Sequence, residues 1–218
     1  MKQHKRLVLS VWLAAALSAC SNAAPLQWPD FTHAIQRHAP AAVGVGDAQG
    51  VLGSGFRLHD TRYVATAAHV VRALQGAPVI RWESKPWPAR VVRIDDEADL
   101  ALLEIAADAP MPGLVLSTRP VMPGQWVMVL GCPFGAGPTA TTGIVSALPG
   151  AVLEPAALSG RMQLNAAVNP GNSGGPVIGL DGQVIGLANA TIPGGYGLGF
   201  AVPVAALAAL LSELPSTP

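Results

Sequence analysis

Between Ala41 and Pro203 the apolar positions fall in short runs of four to eight residues, broken by Gly, Pro and Asp, which is the pattern of half-buried or fully buried strands. Six such runs come first: AVGVG, VLGSGFRL, RYVATAA, PVIRW, ARVVRID and DLALLEI. A Pro-rich stretch, Pro110 to Pro123, separates them from a second set of equal number: WVMVLG, TATTGIVSAL, RMQLNAAV, PVIGL, QVIGLANA and GLGFAVP. Asp181-Gly182, between PVIGL and QVIGLA, predicts a tight hairpin, because both residue types tolerate the positive φ of a primed turn. Helical spacing is sustained only in VAALAALLSEL, Val204 to Leu214, with a shorter amphipathic candidate of one or two turns in Trp28 to His38. Long helices between strands are missing from the pattern, which argues against a parallel α/β sheet. The expected fold is all-β: two six-stranded antiparallel barrels, about 41–109 and 120–203, followed by a short helix at 204–214.

The first residues read as an address rather than as part of that fold. Lys2, Lys5 and Arg6 precede Leu7 to Leu17, an apolar run too short to span a bilayer, so residues 1–19 are expected to be a signal peptide. Leu17-Ser18-Ala19-Cys20 resembles the bacterial lipobox, which would make Cys20 a lipidated N-terminus; ordinary cleavage near Ala23-Ala24 is the alternative. Residues 20–40 would then tether the domain, and Ser21 resembles the outer-membrane sorting signal, giving an expected location in the periplasm of the bacterial envelope. With Cys20 acylated or removed, Cys132 is left as the last thiol, so an intrachain disulfide is not expected. A formal net charge of zero with 12% charged residues offers no basic footprint for nucleic acid and no acidic block for a cationic partner. The membrane is approached through the lipid alone, and neither cofactor nor metal is expected.

Asn169-Pro170-Gly171-Asn172-Ser173-Gly174-Gly175-Pro176 carries the most chemical information. A nucleophilic serine needs an exposed hydroxyl on a tight turn, with backbone N–H groups nearby to receive an oxyanion and glycines to let a substrate come close. The stretch also fits the nucleophile elbow of α/β-hydrolases, but there the histidine follows the serine, whereas every histidine here (4, 33, 38, 59 and 69) precedes Ser173. A subtilisin-like order would pair His69 with Asp47 or Asp60 and demands a helix-rich scaffold. The order His, Asp, Ser remains, that of the chymotrypsin-like double barrel. His69 ends the apolar run Tyr63 to Ala68, while His59 lies in a polar turn. Among Asp95, Asp96, Glu97 and Asp99, the last directly precedes the apolar run Leu100 to Leu103, where a carboxylate can be buried against an imidazole; the other three read as a solvated turn.

VLGSGF, TAAHVV, DDEADLALLEI, GCPFG, TTGIVSAL, AAVNPGNSGGPVI, GQVIGL and GLGFAVP together resemble HtrA-type serine proteases in order and spacing over about Ala41 to Pro203. The resemblance implies a serine endopeptidase acting on polypeptide substrates of the envelope, with His69 as general base, Asp99 as its orienter and Ser173 as nucleophile. It implies an oxyanion hole from the N–H groups of Gly171 and Ser173. It further implies a specificity pocket floored by Ala167 and walled by Leu187, Ala188, Asn189, Gly197, Leu198, Gly199 and Phe200. No acid stands among those residues, so a small or medium aliphatic residue is expected before the cleaved bond. Asn172 occupies the place of the aspartate that trypsin-type zymogens use for activation, and Cys132 replaces the asparagine usual in the family. The family's PDZ domain is not expected after Leu214. The alternative to an enzyme is a catalytically silent peptide-binding or scaffold protein of the envelope.

Overall fold

The computed structural model describes residues 29–133, 137–150, 158–191 and 197–214. The signal peptide, the lipobox with Cys20 and residues 20–28 of the expected tether lie outside the described residues.

The first half contains β1 (Ala42–Gly46), β2 (Val51–Leu58), β3 (Tyr63–Thr66), β4 (Val79–Trp82), β5 (Lys85–Pro88), β6 (Arg90–Asp95), β7 (Leu100–Glu104) and β8 (Gly113–Leu114). They form one sheet in the order β5-β4-β1-β2-β3-β7-β6, with β8 lying parallel to β2. Among the described residues this path does not close by hydrogen bonds, so the first half is a half-barrel. The second half does close. Its strands β9 (Trp126–Gly131), β10 (Thr139–Ala147), β11 (Met162–Leu164), β12 (Pro176–Gly179), β13 (Val184–Thr191) and β14 (Gly199–Pro203) run round in the order β10-β11-β14-β13-β12-β9. This is the chymotrypsin-like double barrel expected from the strand pattern, and the pairings are antiparallel apart from the short β2–β8 contact and a single bridge between Leu116 and Val184.

Each half is built on its own apolar face. Val43, Val45, Phe56, Ile80 and Leu100 to Leu103 fill the first, Val127, Val145, Leu164, Val177 and Ala201 the second, all fully or almost fully buried. The C-terminal helix α3 (Val204–Ser212) buries Val204, Leu207 and Leu210 and leaves Ala205, Ala208 and Ala209 exposed, the stripe that its leucine spacing predicts. Here α1 (Thr32–His38) and α2 (Ala68–Arg72) are the two shorter helices.

Two features depart from expectation. The tether does not hang free from Phe31 onward: Phe31, Ala34 and Ile35 pack on the core, the Phe31 ring meets Trp126 edge-on at 6.1 Å, and Trp82 Nε1 donates to the Pro40 carbonyl at 2.8 Å. The hairpin at Asp181-Gly182 forms, but only Gly182 of that pair has positive φ (80°), and its N–H returns to the Gly179 carbonyl at 3.0 Å. An ordinary turn followed by a left-handed glycine and a register shift therefore replaces the two-residue primed turn.

Close backbone approach joins the two halves beneath the cleft. Ser54 N–H, on β2, donates to the Ser173 carbonyl at 2.8 Å. A side chain cannot be added at this seam: a Cβ on Gly174 (φ 88°) would stand 2.2 Å from the Ser54 carbonyl oxygen and 2.4 Å from Thr66 Oγ1.

Candidate active site

His69 sits in the first turn of α2, directly after β3 delivers the chain through extended Ala67. Asp99 stands across from it at the entry to β7, in a left-handed conformation (φ 55°) that aspartate tolerates better than most residues. The turn before it is fixed by its own acids: Asp95 Oδ1 accepts from the Ala98 N–H at 2.9 Å, and exposed Asp96 is gripped by Arg72 through Nε at 3.1 Å and Nη2 at 2.7 Å. Asp99 is thereby left to face the histidine. It accepts from the His69 backbone N–H through Oδ1 at 2.8 Å and pairs with the ring Nδ1 through Oδ2 at 2.7 Å. Two contacts to one carboxylate fix both the position and the ring orientation of His69.

A third donor completes the cage around this carboxylate: Asn189 Nδ2, from β13, also bonds Asp99 Oδ2. Burial alone would raise the Asp99 carboxyl, but the His69 ring, the His69 N–H and Asn189 together hold it below its ordinary value. The pair is graded in exposure, with 49% of the His69 side chain open to solvent against 19% for Asp99. The carboxylate is thus shielded while the far edge of the imidazole faces the cleft.

Ser173 occupies the turn between Asn169 and Gly175, closed by Asn172 N–H to the Asn169 carbonyl and Gly175 N–H to the Asn172 carbonyl, both at 2.9 Å. Gly174 N–H bonds the Ala188 carbonyl at 2.7 Å, and Ala188 N–H returns to Gly175 at 2.8 Å, so the turn is stitched to β13. The Ser173 hydroxyl donates to the Asn189 carbonyl at 3.2 Å. Gly171 (φ 93°) and Ser173 keep their N–H groups unbonded among the described residues, while the Gly171 carbonyl is held by the Ser54 hydroxyl at 2.5 Å. That hydroxyl in turn accepts the Cys132 N–H at 2.7 Å. A fully buried serine of the first half therefore locks one peptide of the loop in the second.

His69, Asp99, Ser173 and Asn189 line one open cleft of about 700 Å³, together with Leu158, Arg161, Val168, Asn169 and Pro170. Of the residues expected to form a specificity pocket, Asn189 alone lines it. Leu187, Ala188 and Phe200 are buried inside the halves, Gly199 is buried against Ala166 and Val168, and the Ala167 carbonyl accepts from Thr141 Oγ1 at 2.7 Å. Leu198 is half-buried and Gly197 exposed. On β13 successive side chains point to opposite faces and both faces are covered, Leu187 packing in one core and Ala188 in the other. His59 lies apart on the surface, paired with Asp60. Asn172 is buried with its side chain against Gly131, in keeping with a neutral residue at that place. Cys132 is buried, as a small core residue should be, with its thiol on the Ala42 carbonyl at 3.4 Å.

Sequence reasoning missed Asn189 as a partner of Asp99 and missed Arg161 and Leu158 as cleft residues. An asparagine inside an otherwise apolar strand (VIGLANAT) was the available signal for the first.

Residues 53–187 match the family described as trypsin-like peptidase domain. The chain is 32% identical to a probable periplasmic serine endoprotease DegP-like of Halomonas elongata, over 93% of this chain and 53% of that protein. It is 35% identical to serine protease HTRA1 of Xenopus tropicalis, over 82% of this chain and 37% of that one. The chain spans about half the length of some of the curated relatives it matches and about a third of others. Among solved structures, the serine endoprotease from Yersinia pestis superposes with a TM-score of 0.74 at 29% identity, covering 86% of this chain and 67% of that chain. On the match that spans residues 53–187 and the fold beneath it, the chain belongs to the trypsin-like peptidase family.

Proposed function

We propose that this protein is a serine endopeptidase of the bacterial periplasm, cleaving polypeptides through an acyl-enzyme formed on Ser173. The observation that carries the reading is the hydrogen-bonded series Asn189, Asp99, His69 opening onto the cleft that also holds the Ser173 hydroxyl. His69 is the general base: with Nδ1–H held by Asp99, Nε2 is the nitrogen left to take the serine proton and later give it to the leaving amine. The hydroxyl must first leave the Asn189 carbonyl and turn to the imidazole, a side-chain rotation that substrate binding can drive, since such bonds are often slack before the substrate arrives. The unbonded N–H groups of Gly171 and Ser173 would receive the oxyanion, each contributing about 3 kcal/mol or more to the barrier reduction.

The finer parts of the proposal follow from residue types. A small or medium aliphatic residue precedes the cleaved bond, because Leu158 and Val168 give the cleft an apolar wall and Asp96 is already paired with Arg72. Envelope or misfolded proteins are the substrates, and Cys20 carries the lipid that holds the enzyme at the outer membrane. The DegP-like relatives, whose names place them in the periplasm, support the compartment.

Turnover of casein or a reporter peptide by wild type and Ser173→Ala tests the reading. The expected loss is at least about a thousandfold, as for removal of other triad serines. Equal residual rates would instead favour a silent peptide-binding protein.

A further inference from the structure

Arg161 begins the segment that becomes β11 and forms part of the cleft wall beside Ser173. It is only 8% exposed, and its Nε has no hydrogen-bond partner among the described residues. The acidic groups around it are engaged elsewhere or turned to solvent. Asp99 attracts it from a distance, but the Asp99 oxygens are committed to His69 and Asn189. Asp95 also attracts it, with Oδ1 given to Ala98 N–H. Asp96, on the same cleft, is neutralised by Arg72, and Glu97 is exposed to solvent.

A guanidinium nitrogen buried without a partner is costly, and a planar anion that accepts two parallel N–H bonds, one of them from that nitrogen, removes the cost. Leu158 and Val168, each 4% exposed, line the cleft with it as an apolar wall, which strengthens such a pair. We infer that Arg161 is a carboxylate-recognition site within the cleft, selecting polypeptides that carry Asp or Glu within a few residues of the cleaved bond. This rests on the cleft being a polypeptide-binding groove and adds a second determinant to the aliphatic residue at the bond itself. Arg161 is a binding residue in this account, with no part in proton transfer.

The test uses the full mature chain carrying Ser173→Ala and fluorescent aliphatic decapeptides in which one residue is Glu or Gln, moved through successive positions. Binding is read by fluorescence polarisation. At one or two adjacent positions the Glu peptide is expected to bind roughly tenfold tighter than its Gln counterpart, a difference of about 1.4 kcal/mol. Adding Arg161→Met should abolish that ratio and Arg161→Lys should retain part of it, with folding of each checked by thermal melting. Should Arg161→Met fail to fold, the Glu-to-Gln ratios of the parent and of Arg161→Lys decide. Equal binding of Glu and Gln peptides at every position, a ratio that survives Arg161→Met, or no binding of any peptide would overturn the inference. Discrimination without any turnover by the Ser173-intact protein would sink the endopeptidase reading and keep this one; turnover without discrimination would do the reverse.

Discussion

Asn189 Nδ2 and His69 Nδ1 converge on the same oxygen, Oδ2 of Asp99, so the orienting carboxylate is itself oriented by a neutral amide from the other half of the molecule. A hydrogen bond to a charged group contributes about 1.5–3 kcal/mol, so Asn189→Ala should lower kcat roughly tenfold or more with little change in KM. Asn189→Asp should be worse, on the order of a hundredfold, because two carboxylates this close cannot both stay ionised and Asp99 loses its hold on the imidazole. Steady-state kinetics on one reporter peptide checks both; an unchanged kcat in Asn189→Asp would show that the amide contact is idle.

Ser54 reaches across the seam to bond the Gly171 carbonyl and accepts the Cys132 N–H, and it is fully buried. Ser54→Ala leaves both of those groups without a partner, which predicts a stability loss of about 2–4 kcal/mol by urea titration. It also frees the Gly171 peptide to turn, so kcat/KM should fall beyond what the folded fraction explains. Full activity in the folded variant would remove Ser54 from the positioning of this loop.

Acid should weaken the fold partly through Asp99. Its carboxyl lies below the ordinary value of 3.8 in the folded protein, so the folded state binds fewer protons than the unfolded one around that pH. The resulting stabilisation is complete above 3.8 and is lost as pH falls through the folded value. Urea titrations at about pH 5 and about pH 2.5 should therefore show a steeper drop for wild type than for Asp99→Asn. A matching drop in the two would show that this carboxyl contributes nothing to the acid limb. Asp99→Asn should also cost on the order of ten-thousandfold in kcat.

Burial pushes the Cys132 thiol up to about 11, and the side chain is packed on the Ala42 carbonyl. The thiolate is the reactive form, so native protein at pH 8 should react with an aromatic disulfide reagent far more slowly than urea-unfolded protein. Comparable rates in the two states would place the thiol at the surface.

The apolar strand runs, the double-barrel class and the meeting of His69, Asp99 and Ser173 at one cleft were legible because each rests on local signals: short apolar runs, a glycine-rich turn, an aspartate abutting a buried strand. Residues 85–88 were not, because KPWP carries two prolines and forms a strand only as the edge partner of β4, where missing N–H groups face no neighbour. Gly113–Leu114 is too short to announce itself and owes its pairing to Arg57 and Leu58 of β2. The cleft wall was the least legible part. Leu187 and Ala188 are buried because both faces of β13 are covered, and Arg161, adjacent in sequence to core residue Met162, reaches the cleft that Ser173 lines only by the closure of the second barrel.

In the proposed mechanism Ser173 is the nucleophile and His69 activates it. Reaction of the purified mature protein with a fluorophosphonate, followed by peptide mapping, tests it most directly. A single adduct is expected on Ser173, lost in Ser173→Ala and formed far more slowly in His69→Ala. An adduct on another residue, or labelling of Ser173→Ala at the wild-type rate, would contradict it.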